Sequence, residues 1–574
     1  MAPRPISPGH AAWLRTELAR WVADGLVSPQ SGAQITALYA VRRRATLIGL
    51  TLGLGGAFLG IGVIWLVAAN LEHLGLLARF LLVLALWLAL VVAGELLARR
   101  GAAGARSARL LTGVIRLVAV AAFGAVIFQA ANSLQVPADS PRLVALWAVG
   151  ALLYSYAVGS PLGEWLGVAL AGVWWVWQVT DGAEIQFGFA VGATSGALLS
   201  VAVGLLAQRA WGRWRALPWI HLGAGLSLLG VLVAAFPGSG PVPPWRAPLI
   251  AAMVIAVVAA SVALVRGGRQ HGRTLVPAAL ALALGAGLVL WRIPADLQPV
   301  SGEPSLGRAA VAVVGYLLLA TAWALVGADR DEPSITLLAL LALVLFITIQ
   351  AFSVFASILS GAALFLAVGA VLVASGVLAE RGWRRFRESE EAERGSGASV
   401  PTDDQQLTAP LPSASEPTGW PRLGLVVAVL LVALVPLAVW TQISARLTGD
   451  IVTLRVGAID PVDPLRGAYV SLSYPDLHSP TPPTGEPSPE LAHAYVPLSQ
   501  SGEIWVGGMP ALTPPASGLY LRCDVRYELM NCGIGELYVG EERAAEIGQA
   551  LLDGHLTARV AVDRWGHAAL LEVR

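Results

Sequence analysis

The sequence is dominated by apolar runs that are long enough to cross a lipid bilayer. Because an α-helix rises about 1.5 Å per residue, roughly 20 apolar residues cover the hydrocarbon core. The chain is 56% hydrophobic and only 13% charged, a much lower charge than soluble domains carry. We therefore expect an α-helical polytopic membrane bundle of about 13 transmembrane helices. The runs are 46–69, 80–97, 110–131, 143–158, 165–179, 187–207, 217–236, 249–265, 275–291, 309–326, 335–352, 354–379 and 423–440.

Length decides some of these boundaries. The runs at 143–158 and 165–179 are short for a span, so whether both cross stays open. Residues 335–379 contain no charged break, but one helix over about 45 residues would be near 68 Å long, so we divide this stretch in two.

Arginine placement predicts the orientation of the bundle. With the N-terminus in the cytoplasm, alternate loops carry clusters such as 42–44, 99–109 and 381–387, while each opposite loop between spans carries at most two arginines. Such an excess of positive charge marks cytoplasmic loops. We expect a multi-pass protein of the bacterial inner membrane, with everything after Trp440 extracytoplasmic.

Changes in composition divide the chain into five segments. Residues 1–44 have the apolar spacing of a cytoplasmic amphipathic helical hairpin, which either docks a partner or, as we favour, lies on its own bundle. About twelve spans fill residues 45–380. Residues 381–421 form a polar, Ser- and Pro-rich cytoplasmic disordered linker, 422–441 the last transmembrane helix, and 442–574 a β-rich domain.

The last segment alternates in the manner of β-strands. Val452 and Leu454 share one face of a strand, as do Val470, Leu472 and Tyr474. We expect a small extracytoplasmic β barrel or sandwich with one helix. Further strands are predicted near 492–497, 504–506, 519–527, 536–539, 556–562 and 567–573, and the helix over 541–552.

Residue types exclude several kinds of chemistry. The chain contains no lysine, so it has neither a P-loop phosphate clamp nor a Schiff base. The histidines of the last segment do not have zinc-ligand spacing, and Asp460 and Asp463 each precede a proline, which favours turns over metal binding. We expect no metal, no cofactor and no nucleic-acid partner.

Few side chains inside the predicted spans could perform chemistry. Arg116 lies near the cytoplasmic end of its span and can snorkel, and Glu95 and Glu164 lie at span ends. Ser195 and His221 resemble a hydrolase pair, but their depths differ by about 10 Å, so a buried hydroxyl–imidazole hydrogen bond is the simpler interpretation.

Small residues recur at a spacing of four along one predicted span. This spacing lets helix backbones approach closely, and we favour helix packing over a pore or substrate path. The residues are Gly188, Gly192, Gly196, Ser200 and Gly204.

The two cysteines of the chain, Cys523 and Cys532, both fall in the segment predicted to face an oxidising compartment. They flank a predicted turn, Tyr527 to Asn531, between two strand-like runs. A hairpin would bring their Cα atoms within disulfide range, whereas a shifted register would leave two buried thiols. We favour the disulfide.

Two stretches of the last segment resemble the GDYXXLXY family, a group of uncharacterised bacterial proteins. The resemblance rests on the run Arg466 to Tyr474 and on the run Cys532 to Val539. Ala468 stands where the family has aspartate, so no role for that carboxylate carries over. The candidate functional residues are Arg466, Gly467, Tyr469, Leu472, Tyr474, Gly533, Glu536 and Tyr538.

The N-terminal segment has a resemblance of its own. Trp21 through Tyr39, followed by many spans, is similar to a family of predicted bacterial membrane proteins of unknown function. Neither family implies an assigned activity.

Three classes of function remain. We favour a non-enzymatic cell-envelope binding, sensing or scaffold protein whose outer domain binds an envelope protein or a small ligand. A transporter of a small solute is the alternative, and an intramembrane hydrolase is the least favoured. Besides the lipid bilayer, the sequence identifies no partner and no oligomeric state.

Overall fold

A computed structural model describes most of the chain. The chain divides into two compact units, one comprising residues 1–46 and 178–418, the other residues 47–177 and 419–574. Apart from single-residue gaps and a few isolated positions, the structure describes residues 4–41, 76–101, 106–134, 140–236, 242–292, 306–355, 421–458, 469–477, 493–526, 529–538 and 556–574.

The N-terminal segment contains two helices, as its apolar spacing predicts. Ser28 caps the second helix, because its Oγ accepts a hydrogen bond from the backbone N–H of Ser31 at 3.1 Å. The helices are α1 (Pro8–Ala23) and α2 (Pro29–Ala37), flanked by two short parallel strands, β1 (Arg4–Ile6) and β2 (Tyr39–Val41).

Long helices occupy those predicted spans that the structure describes. The predicted spans at 46–69 and 354–379, like the linker at 381–421, fall almost entirely outside the described residues. The helices are α3 (Leu76–Gly101), α4 (Arg106–Ser133), α5 (Pro141–Val158), α6 (Pro161–Thr180), α7 (Ile185–Trp211), α8 (Arg213–Ala235), α9 (Ala247–Leu290), α10 (Leu306–Asp329), α11 (Pro333–Phe355), α12 (Pro421–Ala438) and α13 (Trp440–Thr448).

Helix α9 comprises two of the predicted spans. The backbone leaves helical geometry at Gly268, where φ is 60° and ψ is −146°. His271 Nδ1 lies 2.8 Å from the carbonyl oxygen of Ala263, although eight residues of straight helix would separate them by about 12 Å. The chain therefore turns sharply here, as the separate predictions for 249–265 and 275–291 require.

Among the described residues, eight helical segments are long and apolar enough to cross a membrane, or nine if α12 and α13 form one bent span. Helix α11 is apolar over a shorter stretch, Pro333–Ile349. Helix α6 forms but is not among the eight, because Glu164 and its tryptophans lower its mean hydropathy. The protein is a multi-pass membrane protein, and the number of about 13 spans stays a prediction.

Helices α3, α4, α5 and α12 share one apolar core in the second unit. Trp87 of α3 and Phe123 of α4 pack with ring centroids 5.2 Å apart, and both are almost fully buried. Leu431 and Val435 of α12 belong to the same core. The helix that precedes the C-terminal domain is therefore packed into this helical group and is not a free tether.

The C-terminal domain consists of small antiparallel sheets around one apolar core. The sheet orders are β12-β11-β3, β10-β5-β4 and β7-β6-β8-β9. The predicted alternation holds, since Val452, Leu454 and Leu472 are buried in the core. The strands are β3 (Asp450–Arg455), β4 (Gly457–Ala458), β5 (Tyr469–Ser473), β6 (His493–Ser501), β7 (Ile504–Gly507), β8 (Tyr520–Arg526), β9 (Leu529–Asn531), β10 (Glu536–Tyr538), β11 (Thr557–Val562) and β12 (Ala568–Val573).

One prediction for this domain needs a correction, and another lies mostly outside the described residues. The expected turn over Tyr527 to Asn531 is too long, because β9 already begins at Leu529 and pairs with Arg526. The helix predicted over 541–552 lies mostly outside the described residues.

Candidate functional site

A buried ion pair joins α3 and α4. Glu95 is 1% exposed, and both of its carboxylate oxygens accept hydrogen bonds from Arg116, Nε to Oε1 at 3.1 Å and Nη2 to Oε2 at 2.9 Å. The planar guanidinium matches the carboxylate in this bidentate geometry. Charged groups inside membrane helices are costly and are usually paired, and they mark candidate functional sites.

Two more helices contribute to this pair. The Tyr154 hydroxyl of α5 donates to Glu95 Oε1 at 3.1 Å, and Arg116 Nη1 donates to the carbonyl of Val158 at the end of α5 at 3.0 Å. Gly424 of α12 packs against the carboxyl, because a Cβ there would lie 3.0 Å from Glu95 Cδ. Arg116, which the sequence places near the end of its span, has its guanidinium held by these partners.

The other end of α12 leads into a second polar cluster, between α13 and the C-terminal sheet. Ser444 donates to Asp563 Oδ2 at 2.6 Å, and His567 donates through Nδ1 to the same oxygen at 3.0 Å. The backbone N–H groups of Trp565 and His567 both donate to Oδ1 at 2.9 Å. The carboxylate is thus fully satisfied although its side chain is 0% exposed.

Burial and hydrogen bonding have opposite effects on the pKa of Asp563. Burial alone would raise the pKa of its carboxyl, but the hydrogen bonds from Ser444 and His567 outweigh that effect and hold the pKa below its usual value. Ser444, Asp563 and His567 are the residue types of a hydrolase triad, but Ser444 bonds the carboxylate and not the imidazole. This geometry is that of a structural hydrogen-bond cluster and not of an activated nucleophile. We call the cluster of Ser444, Asp563 and His567 the Asp563 clasp.

Further hydrogen bonds fix α13 to β12. Gln442 donates to the carbonyl of Ala568 at 3.0 Å, and Arg446 donates to the carbonyl of Leu570 at 2.8 Å. Ala445 of the same helix is completely buried. Sequence reasoning missed this helix and its clasp. The available signal was the Asp563 to Gly566 turn, with aspartate and glycine at the positions that a type I turn prefers.

The residues of the family motif lie mainly on β5 and β10. Tyr469 pairs with Tyr538 across the two strands, and Glu536 pairs with Ser471. Leu472 points into the core, and its N–H donates to the carbonyl of Gly535 at 2.8 Å. Arg466 and Gly467 lie outside the described residues.

Tyr474 and Gly533 stabilise the segment that leads into β10. The Tyr474 hydroxyl donates to the carbonyl of Ile534 at 2.8 Å, and burial raises the pKa of this phenol, which keeps the donor protonated. Gly533 has a φ of 73°, and its N–H donates to the Asn531 side chain at 2.8 Å. The two motif stretches therefore pair with each other, which favours a structural role for Leu472, Tyr474 and Gly533.

The structure pairs Cys523 with Cys532 in a disulfide, with their Cα atoms 4.0 Å apart. They stand next to the pair Asp524 and Asn531, in the continuing register of β8 and β9. Cys523 is completely buried in the domain core. The bond anchors the residue just before Gly533, so it supports the same segment that Tyr474 holds.

We expect the variant with both Cys523 and Cys532 replaced by serine to lose about 2 to 3 kcal/mol of domain stability, because the short loop no longer restricts the unfolded chain. Alkylation of the unfolded protein with and without reduction measures the bond directly. Two free thiols in unreduced protein would contradict the pairing, and the double variant provides the unlabelled control.

The small residues of α7 lie at close helix contacts. A Cβ on Gly188 would lie 3.3 Å from the Cα of Thr180 at the end of α6, and one on Gly204 would meet Trp219 Cβ at 3.0 Å and the carbonyl of Ala216 at 3.1 Å. Such contacts are typical of helix packing. Gly192 lies close to the side chain of Val179, and Gly196 and Ser200 are buried.

Ser195 and His221 do not form a catalytic pair. Ser195 donates to the carbonyl of Gly192 at 3.1 Å, whereas His221 Nε2 lies 2.7 Å from Ser334 Oγ. A hydroxyl–imidazole hydrogen bond exists, but with a serine of α11 that sequence reasoning did not consider. Among the described residues, no three His, Cys, Asp or Glu side chains are grouped so that they could hold a metal ion.

Two separate stretches of the chain match known protein families. Residues 431–573 match the GDYXXLXY protein family. The C-terminal region is a GDYXXLXY domain. Residues 19–163 match a family of predicted membrane proteins (DUF2157), and this stretch contains Glu95, Arg116 and Tyr154. No curated protein and no solved structure matches the chain.

The match to the GDYXXLXY family begins inside α12 and includes α13. The clasp at Asp563 therefore belongs to the matched region, as do the disulfide and the β5–β10 pair. The ion pair belongs to the other matched region. Helix α12 connects the two, because Gly424 contacts Glu95 while its far end leads into α13.

Proposed function

We propose that this protein is a non-enzymatic sensing or binding protein of the bacterial inner membrane. Its N-terminal hairpin and its 381–421 linker lie in the cytoplasm, its bundle has about 13 spans, and its GDYXXLXY domain faces outward. That domain binds an envelope protein or a small ligand. The described motif residues hold the domain together, so the ligand contacts lie elsewhere on its surface.

One observation supports this proposal: hydrogen bonds attach the GDYXXLXY domain to α13, the helix that directly follows α12. The Asp563 clasp and the two carbonyl contacts of β12 fix α13 to the sheet. The adjoining α12 is packed into the helical core and touches Glu95. A change at the domain that moves α12 would therefore press directly on a buried ion pair.

The contact of α12 with Glu95 has the properties of a conformational switch. Buried ion pairs and close packing have discrete arrangements, and a ligand shifts a protein between them by the difference in its affinity for each. A ligand of the domain that prefers one position of α12 would thus favour one arrangement of Glu95 and Arg116. The cytoplasmic segments would transmit the result.

The orientation is tested by fusion of alkaline phosphatase, which folds only in an oxidising compartment. We expect an active enzyme after Arg446 and an inactive one after Gly395. Expression measured by immunoblot serves as the control for each fusion. The reverse pattern would contradict the proposed topology and, with it, an outward-facing domain.

The coupling is tested by uncoupling the domain without removing it. We expect a short Gly-Ser insertion after Val439, between α12 and α13, to abolish the protein's cellular phenotype as completely as deletion from Ile451 onward. The same insertion after Gly395, in the linker, is the matched control and should be tolerated. Membrane fractionation checks that the helical bundle remains inserted.

If a variant lacking residues 451–574 behaves normally, the helices and not the GDYXXLXY domain carry the function. The observation that favours this second candidate, a small-solute transporter, is the buried pair of Glu95 and Arg116 within two candidate spans. In that case uptake of the solute should depend on Glu95 and be indifferent to the insertion after Val439.

A further inference from the structure

The nine residues of helix α13 have three different kinds of surroundings. Gln442, Ser444 and Ala445 are buried, and the contacts described above place Gln442 and Ser444 against the GDYXXLXY sheet. Ile443 packs against the apolar core of the membrane helices. Trp440 and Leu447 remain exposed, at 57% and 79%.

Two of the three exposed residues of α13 are large and apolar, Thr448 being the third, whereas two of its three buried residues are polar. Trp440 and Leu447 are seven residues apart, which places them on the same side of the helix, two turns from each other. A helix that rests on a soluble domain in water normally shows the opposite arrangement. The inverted pattern indicates that the exposed side of α13 does not face water.

Two contacts place α13 at the level where the membrane helices end. It follows α12 directly, with a bend of 56°. Arg446 also donates to the carbonyl of Leu134 at 3.3 Å, the residue that follows the last residue of α4. Helix α4 is apolar enough to be a span and ends at Ser133, so α13 lies beside the end of a candidate span.

We propose that α13 is an interfacial helix whose Trp440 and Leu447 face lies in the headgroup region of the bilayer. Tryptophan is enriched at this depth, and an apolar helix face binds there by burying its area between headgroups and acyl chains. The bilayer surface would thus hold α13 from one side while the domain holds it from the other. This inference does not depend on which side of the membrane the domain occupies.

Single thiols can locate this face, because the two native cysteines are joined in a disulfide. A nitroxide spin label is attached to Trp440→Cys or Leu447→Cys in the full-length protein, reconstituted in phosphatidylcholine–phosphatidylglycerol nanodiscs. Met509→Cys is the matched control, since Met509 is apolar and 84% exposed on the same domain. Electron paramagnetic resonance then measures collisions with dissolved oxygen and with a water-soluble nickel chelate.

We expect the labels at 440 and 447 to collide mainly with oxygen, which concentrates in lipid, and the label at 509 to collide mainly with nickel. Nickel collisions at 440 and 447 as frequent as at 509 would overturn the proposal. Strong spin–spin broadening at 447 in singly labelled protein would overturn it too, because a second copy of the chain would then cover this face.

Discussion

Replacing Glu95 with alanine is expected to destabilise the helices of the second unit by about 3 to 5 kcal/mol, because a buried arginine then loses its counter-charge. In the native protein the Arg116 side chain is only 12% exposed, and Glu95 accepts two of its three described hydrogen bonds. Val158 alone would remain as an acceptor. Thermal unfolding of the purified protein in detergent measures the loss.

The matched control is Glu17→Ala, which removes an ion pair of α1 with Arg20. The Arg20 side chain is 36% exposed, and exposed pairs contribute about 0 to 1 kcal/mol, so this variant should unfold almost as the native protein does. Equal stability of the Glu95 and Glu17 variants would contradict the assignment of a buried, desolvated pair.

A triple variant separates two effects on stability: the destabilisation by an unpaired buried charge, and the contribution of the hydrogen-bonded network itself. Glu95→Leu, Arg116→Met and Tyr154→Phe together remove every polar group of the cluster except the Val158 carbonyl. Apolar replacements of whole buried pairs are often nearly neutral, so the triple variant should recover most of the stability that Glu95→Ala loses. It should nevertheless lose the proposed switch, which makes it the variant that tests function apart from folding.

The positions of the long described helices could be predicted from the sequence because each depends on local apolar length. The same holds for the strands of the GDYXXLXY domain, whose alternation is a local property, and for the disulfide, whose cysteines stand on neighbouring runs. Each of these features needs only residues that are close in sequence.

The ion pair could not be predicted in the same way. Glu95 and Arg116 are 21 residues apart on separate helices, and their meeting depends on how those helices rotate and cross. Sequence reasoning placed Arg116 near a span end, from which it can snorkel, the usual outcome when no partner is available. Tertiary packing supplied the partner.

Helix α13 was missed for a related reason. Its nine residues follow the apolar run of α12 directly, so the segment after Trp440 was assigned to the β-rich domain. Only the contacts of Ser444 with Asp563, 119 residues later, explain why polar side chains are buried there.

Asp563→Ala is expected to separate α13 from the GDYXXLXY sheet and to destabilise the domain by several kcal/mol. It leaves Ser444, His567 and two backbone N–H groups without their acceptor, and each buried unsatisfied group costs about 1 to 3 kcal/mol. Ser444→Ala should cost only about 1 kcal/mol, because the carboxylate keeps its other donors. Asp524→Asn, at an exposed pair with His493, is the control and should change little.

The clasp also predicts the response to acid. Because the pKa of Asp563 is lower in the folded protein than in the unfolded chain, its ionised form stabilises the fold above the unfolded value of about 3.9, and this contribution is lost as pH falls below that value. The native protein should therefore lose domain stability between neutral pH and strongly acidic pH more steeply than Asp563→Ala does. Thermal unfolding of both proteins across this range measures the difference. Parallel curves would mean that the carboxylate does not hold α13 in place, and the coupling of the domain to α12 would then have to rest on Gln442 and Arg446 alone.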